Sequence, residues 1–190
     1  MIYLDNNATT RVAPEVLEAM QPYLSEYFGN PSSAHALGRE MKRAVEESRE
    51  QVASLIGAAE TSEIVFTSCG SESDNWAIRG VLATQPNKKH IVTSQVEHEA
   101  VRNVCRLLEQ EGYEVTWLGV NNNGELSLDE LRSALRPDTA LVSIMLANNE
   151  TGVLFPMEEI GRVVREQSEA VFHVDGVQAV GKIPIDLKST

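Results

Sequence analysis

From Glu63 onward the chain alternates short apolar runs with helical stretches, and this rhythm leaves few architectures open. Ile64-Val65-Phe66-Thr67, Ile91-Val92-Thr93, Val115-Thr116-Trp117-Leu118, Ala140 to Leu146 and Ala170 to Val174 are strand-length and rich in β-branched or aromatic residues. Helical periodicity fills the intervals, over Asp74 to Ala83, over Glu99 to Glu111, after Ser127 and after Pro156. Ser127 with Glu130 three residues on has the capping-box spacing, and Pro156 suits a first helical turn. Largely apolar strands must be covered on both faces, because neither side can be left in water. The expectation is therefore an α/β fold, a mostly parallel sheet with helices on both faces.

The region before this rhythm is different. Val16, Leu17, Met20, Tyr23, Leu24 and Tyr27 recur at three- and four-residue spacing and predict a helix over Glu15 to Glu26. Phe28-Gly29-Asn30-Pro31-Ser32-Ser33 reads as a loop, and Met41, Val45, Val52, Leu55 and Ile56 mark a long amphipathic helix ending at Gly57. The expected division is a helical amino-terminal segment over residues 1–60 and an α/β domain over residues 61–190.

Charge and cysteine use exclude several functions. With 28 Asp and Glu against 16 Lys and Arg, the net charge of -12 repels phosphate backbones and anionic lipid, so neither nucleic acid nor a membrane is an expected partner. Cys69 and Cys105 form no C-x-x-C pair and suggest a reducing compartment. Met1 to Asn7 has no basic flank and no apolar stretch of a secretory signal, and no 18-residue apolar run occurs, so a cytoplasmic location is expected. The sequons at Asn7 and Asn149 are then accidental.

In an open α/β sheet, ligands gather beyond the carboxyl ends of the strands, which directs attention to four loops. Thr67-Ser68-Cys69-Gly70-Ser71-Glu72-Ser73-Asp74 is a small-residue turn into a helix; it either binds a phosphate on its free amides or is a simple cap made by Ser71. Gln95-Val96-Glu97-His98-Glu99 puts an imidazole at a strand end, as a stacking or proton-carrying group or as a satisfied helix-start histidine. Ala147-Asn148-Asn149-Glu150-Thr151-Gly152 offers amide donors to a ligand oxygen or closes on itself as an Asx turn. Phe172-His173-Val174-Asp175-Gly176-Val177-Gln178 ends an apolar strand in a carboxylate. Such a group is costly without a cation, which could be a protonated ring nitrogen, an arginine or a metal.

Two motifs fail on inspection. His98-Glu99-Ala100-Val101-Arg102 has Arg102 where a zincin needs its second histidine, so no metal site is expected. Gly176 to Lys182 satisfies G-x-x-x-x-G-K, but Ile183 replaces the required hydroxyl residue and Pro184 obstructs the helix.

Taken together, Tyr3-Leu4-Asp5-Asn6-Asn7-Ala8-Thr9-Thr10, Phe28 to Ser33, Glu63 to Asp74, Asn148 to Gly152 and His173-Val174-Asp175 resemble the cysteine desulfurases of the class V aminotransferase group, fold-type I pyridoxal-phosphate enzymes. The wording is closest to the nitrogenase-associated kind. The resemblance implies that residues 61–190 are a cofactor-binding large domain and that the cofactor is pyridoxal 5'-phosphate. Gly70 and Ser71 would bind its phosphate, His98 would stack on the ring and carry protons, and Asp175 would pair with the ring nitrogen. Asn149 and Gln178 would bond the phenolic oxygen, and Asn6, Asn7 and Ala8 would line the substrate side.

It further implies conversion of L-cysteine to L-alanine, with sulfur passed to an enzyme cysteine as persulfide for iron-sulfur cluster assembly, in a homodimer that serves an iron-sulfur scaffold or other sulfur acceptor. The family's Schiff-base lysine lies in a Ser-x-x-His-Lys stretch that this chain lacks, and neither Lys182 nor Lys188 fits it. Cys69 and Cys105 do not fit the persulfide position. Residues 1–190 are thus expected to be the amino-terminal half of such an enzyme, missing the carboxyl-terminal half and inactive alone. The alternatives are a selenocysteine lyase or another class V aminotransferase, and a non-catalytic cofactor-binding or assembly module.

Overall fold

Apolar runs become strands only where a neighbour completes their hydrogen bonds, and four of the five expected runs meet that condition. The computed structural model describes residues 2–185; Lys188 lies outside the described residues. The chain falls into two compact units, residues 2–65 with residue 185, and residues 66–184.

In the first unit, α1 (Pro14–Met20) gives way to a 3-10 turn at Gln21–Leu24 instead of running on to Glu26. Pro22 is the reason, since it brings no amide hydrogen and its ring crowds the preceding turn. Its carbonyl instead collects the amides of Ser25, Glu26 and Tyr27. The long helix α2 (Ala36–Ile56) starts at His35, whose Nδ1 accepts the Gly38 amide at 3.2 Å, and stops at Gly57, which takes a left-handed φ of 71°.

The second unit carries α3 (Gly70–Thr84), β1 (His90–Ser94), α4 (Glu99–Gln110), β2 (Glu114–Leu118), α5 (Leu128–Ala134), β3 (Thr139–Ser143), α6 (Met157–Gln167) and β4 (Val171–His173). All strand pairs are parallel, in the order β2-β1-β3-β4, with a helix in each crossover. Side chains alternate across the sheet as the pleat requires. Ile91 and Leu141 pack with Ile78 and Leu82 of α3 and Val101, Val104 and Leu108 of α4. Val92 and Val142 turn the other way, onto Leu131 of α5 and Ile160, Val163 and Val164 of α6. Each such side chain contributes roughly 1.5–3 kcal/mol when taken fully out of water. The expected covering of both faces is observed.

Two expected strands differ. Ile64 to Thr67 is assigned to no strand, because no described strand pairs with it. β3 ends at Ser143, short of Leu146, because β4 is brief; the ladder continues irregularly as the Ile144 and Leu146 amides donate to the carbonyls of His173 and Asp175 at 3.1 and 2.9 Å. No described helix is long and apolar enough to cross a membrane.

Candidate active site

Parallel strands end together, so the exits of β1, β3 and β4 are brought to one edge of the sheet. Direct contacts tie their loops: the Asn148 side-chain Nδ2 donates to the Val96 carbonyl at 3.1 Å, and the Leu146 backbone amide donates to the Asp175 carbonyl. A Cβ added to Gly70 at the start of α3 would sit 3.2 Å from Val177, so the helix start lies against the loop holding Asp175 and Gln178. Gly70, Ser71, His98, Asn149, Asp175 and Gln178 therefore occupy neighbouring loops. Asn6, Asn7 and Ala8 form an exposed turn of the first unit, where the Asp5 carbonyl accepts the Ala8 amide at 3.2 Å.

At α3, Ser71 is not the cap. The cap position is Cys69, no side chain closes the first turn, and Ser71 sits inside it. Glu72 reaches back to the Ser68 amide at 2.6 Å, and Thr67 and Ser73 join their hydroxyls at 2.6 Å. The exposed Cys69 thiol is pulled below its usual range by the facing Glu72 amide, then by the Ser68 hydroxyl and the Ser71 amide. Those amides favour negative charge, as a helix start does for a phosphate.

His98 is the cap of α4, its Nδ1 accepting the Ala100 amide at 3.2 Å. The two readings of this histidine are compatible, since the capping bond fixes the ring while leaving it exposed. A cleft of about 600 Å³ lies beside it, lined in part by Glu97, Asn149 and Thr151.

The Asx-turn reading holds for Asn148 and not for Asn149. The Asn148 side-chain oxygen accepts the Glu150 and Thr151 amides at 3.0 and 2.9 Å and the Thr151 hydroxyl at 3.1 Å, so this buried residue builds the loop. Asn149, half-buried beside it, donates to Glu150 at 3.1 Å. Gln178 accepts from Lys182, within tight turns that follow Gly176 where a P-loop would need a helix.

Asp175 is 7 % exposed and accepts the Val177 amide at 2.9 Å. No lysine or arginine is ion-paired with it among the described residues. Two further carboxyls escaped the sequence reading. Asp74 on α3 and Glu97 before His98 are both buried, and both are pushed up to about 7, chiefly by burial and further by the charge of Asp175. His173 stands 3.7 Å from Asp74 through Nε2 and bonds Ser143 at 2.9 Å through Nδ1; burial holds its imidazole below the usual range. A signal for Asp74 existed, since it continues the inward stripe of Ile78 and Leu82 at four-residue spacing.

These features define a parallel α/β protein whose crevice, at the strand carboxyl ends, suits an anion at a helix start and a cation against a buried carboxylate. The family model for class-V aminotransferases matches residues 2–190, and the chain belongs to that family. A cysteine desulfurase of Trichormus azollae is 62% identical over 190 residues, all of this chain and 47% of that protein. Among solved structures, a NifS-like protein superposes with a TM-score of 0.95 at 43% identity, covering 98% of this chain and 52% of that one. SspA, solved in complex with cysteine, gives 0.95 at 40% identity, covering 100% and 54%. The chain thus spans about half the length of the curated relatives it matches.

Proposed function

We propose that this chain is the amino-terminal, cofactor-binding half of a pyridoxal-phosphate-dependent cysteine desulfurase, which takes sulfur from L-cysteine, leaves L-alanine and passes the sulfur to an enzyme cysteine as persulfide. One observation carries the reading: Asp175, buried at the exit of β4, with no lysine or arginine partner among the described residues. A protonated ring nitrogen is a cation of the right size and flatness to meet it. The uncapped first turn of α3 fits the cofactor phosphate by the same test of donor chemistry.

When bound, pyridoxal phosphate supplies an electron sink for the charge that develops at the substrate α-carbon. The chain's own groups would hold and orient it. Gly70 and Ser71 present amides to the phosphate, with no side chain at Gly70 to obstruct close approach. Asp175 keeps the ring nitrogen protonated. His98 stacks on the ring; with Nδ1 accepting the Ala100 amide, the ring's hydrogen sits on Nε2 as a hydrogen-bond donor, and carrying a further proton would require Nδ1 to give up that capping bond. Asn149 and Gln178 bond the phenolic oxygen, while Asn6, Asn7 and Ala8 line the substrate side. Kinship alone supports the wider setting: a homodimer in the cytoplasm, a scaffold or other acceptor for the sulfur, and service to iron-sulfur clusters or nitrogen fixation.

The test is a cofactor titration by absorbance together with cysteine-dependent sulfide release, made on the full-length protein and its Asp175→Asn variant. Loss of a charge-assisted hydrogen bond of about 1.5–3 kcal/mol weakens cofactor binding about 10- to 100-fold. Release of sulfide falls with it. Wild-type affinity and rate in the variant would overturn the assignment.

A further inference from the structure

Asp74 from α3, Glu97 from the loop after β1 and Asp175 after β4 are 5%, 3% and 7% exposed, and lie close enough for their charges to act on one another. Three ionised carboxylates could not be buried together without cations. Glu97 shows how this is resolved. Its Oε1 accepts twice, from the Ser94 hydroxyl at 2.6 Å and the Met145 amide at 3.1 Å, while the fully buried Oε2 has no partner. Of the two forms the neutral carboxyl is the less costly, because an unpartnered neutral oxygen at Oε2 carries a smaller burial penalty than an unpartnered charged one.

We propose that Asp74 and Glu97 are positioning residues held as neutral acids, so that the buried site carries a single negative charge, on Asp175, matched to a single ring cation. The inference rests on the cofactor reading above for the identity of that cation. In neutral form Glu97 clamps the exit of β1 to that of β3, the two strands that lead to His98 and Asn149. Two other titratable groups face the trio: the Cys105 thiol, pushed up to about 12 chiefly by burial, and the His173 imidazole, 3.7 Å from Asp74 through Nε2, which burial holds below its usual range.

The sign of the pH effect follows. Both carboxyls rise to about 7 in the folded protein from unfolded values of 3.8 and 4.5. The native state therefore holds protons that the unfolded chain has released. Stability from this source is complete below the unfolded values and is lost as pH rises through about 7.

The experiment follows the thermal midpoint of the cofactor-free full-length protein from about pH 5 to about pH 8, for wild type, Glu97→Gln and Asp74→Asn. Gln and Asn cannot release a proton, so each variant should gain several degrees on wild type across that range. Parallel profiles would overturn the proposal, as would a loss of pyridoxal-phosphate affinity in either variant equal to that of Asp175→Asn. Should a variant not fold, infrared spectra of wild type decide: a protonated carboxyl band at about pH 6 that fades by about pH 8 supports the proposal, and its absence at the lower pH refutes it. Failure of wild type to bind the cofactor would remove the cofactor reading, while the unfolding profiles would still settle the charge.

Discussion

Helices α1 and α4 have the same kind of apolar periodicity and opposite fates. Val101, Val104, Cys105 and Leu108 of α4 are all nearly inaccessible, whereas Val16, Leu17 and Met20 of α1 are about half exposed and none of its residues is buried. Period fixes which side chains share a face; burial needs a second surface, which α4 finds in the sheet. The comparison predicts a steep difference. Leu108→Ala should cost about 2–5 kcal/mol, while Leu17→Ala in residues 1–190 should stay within about 0.5 kcal/mol, both read from denaturant midpoints. Equal costs would break the comparison. A larger cost for Leu17→Ala in the full-length protein would sharpen it, by assigning the cover of α1 to residues outside this span.

The same distinction explains what was legible in the sequence. The sheet was, because Ile91, Val92, Leu141 and Val142 alternate between two covered faces and their helices lie between them in the chain. Ile64 to Thr67 was misread because β-branched residues favour extended backbone but cannot supply a neighbour to pair with. Pro22 was overlooked within a convincing apolar stripe. Around the candidate site, the loops were found by their place after strands, and the roles inside them were harder. Adjacent asparagines look alike in sequence, yet Asn148 builds the turn and Asn149 lies beside it. Asp74 and Glu97 stayed hidden because an acidic residue usually faces water, and only tertiary packing shows that these do not.

Loose packing around α1 does not extend through the whole of its unit. A Cβ at Gly38, in the first turn of α2, would lie 2.3 Å from the Ser33 carbonyl oxygen and 2.7 Å from that of Asn30. Both are backbone atoms, so the turn itself must move. Gly38→Ala is expected to destabilise by about 1–3 kcal/mol, less than the cavity at Leu108 and well above the change at Leu17. Denaturant unfolding checks the order. A neutral Gly38→Ala would mean that the 30–33 turn yields easily, and that this unit has no tight point of its own.

The smallest expected effect has the opposite sign and comes from the better-packed unit. Gly80 lies in the interior of α3, and a Cβ there would meet nothing within 4 Å. Glycine in a helix carries extra backbone freedom that folding must remove, and alanine removes part of it in advance. Gly80→Ala should therefore stabilise by about 0.5–1 kcal/mol, provided that the open space stays open. The unfolding midpoint of residues 1–190 measures the intrinsic gain. Retention of that gain in the full-length protein would mark this side of α3 as a solvent face; its loss or reversal there would show a neighbour seated against Gly80, making α3, buried along Asp74, Ile78 and Leu82, a helix covered on a second side, as α1 would need to be on its first.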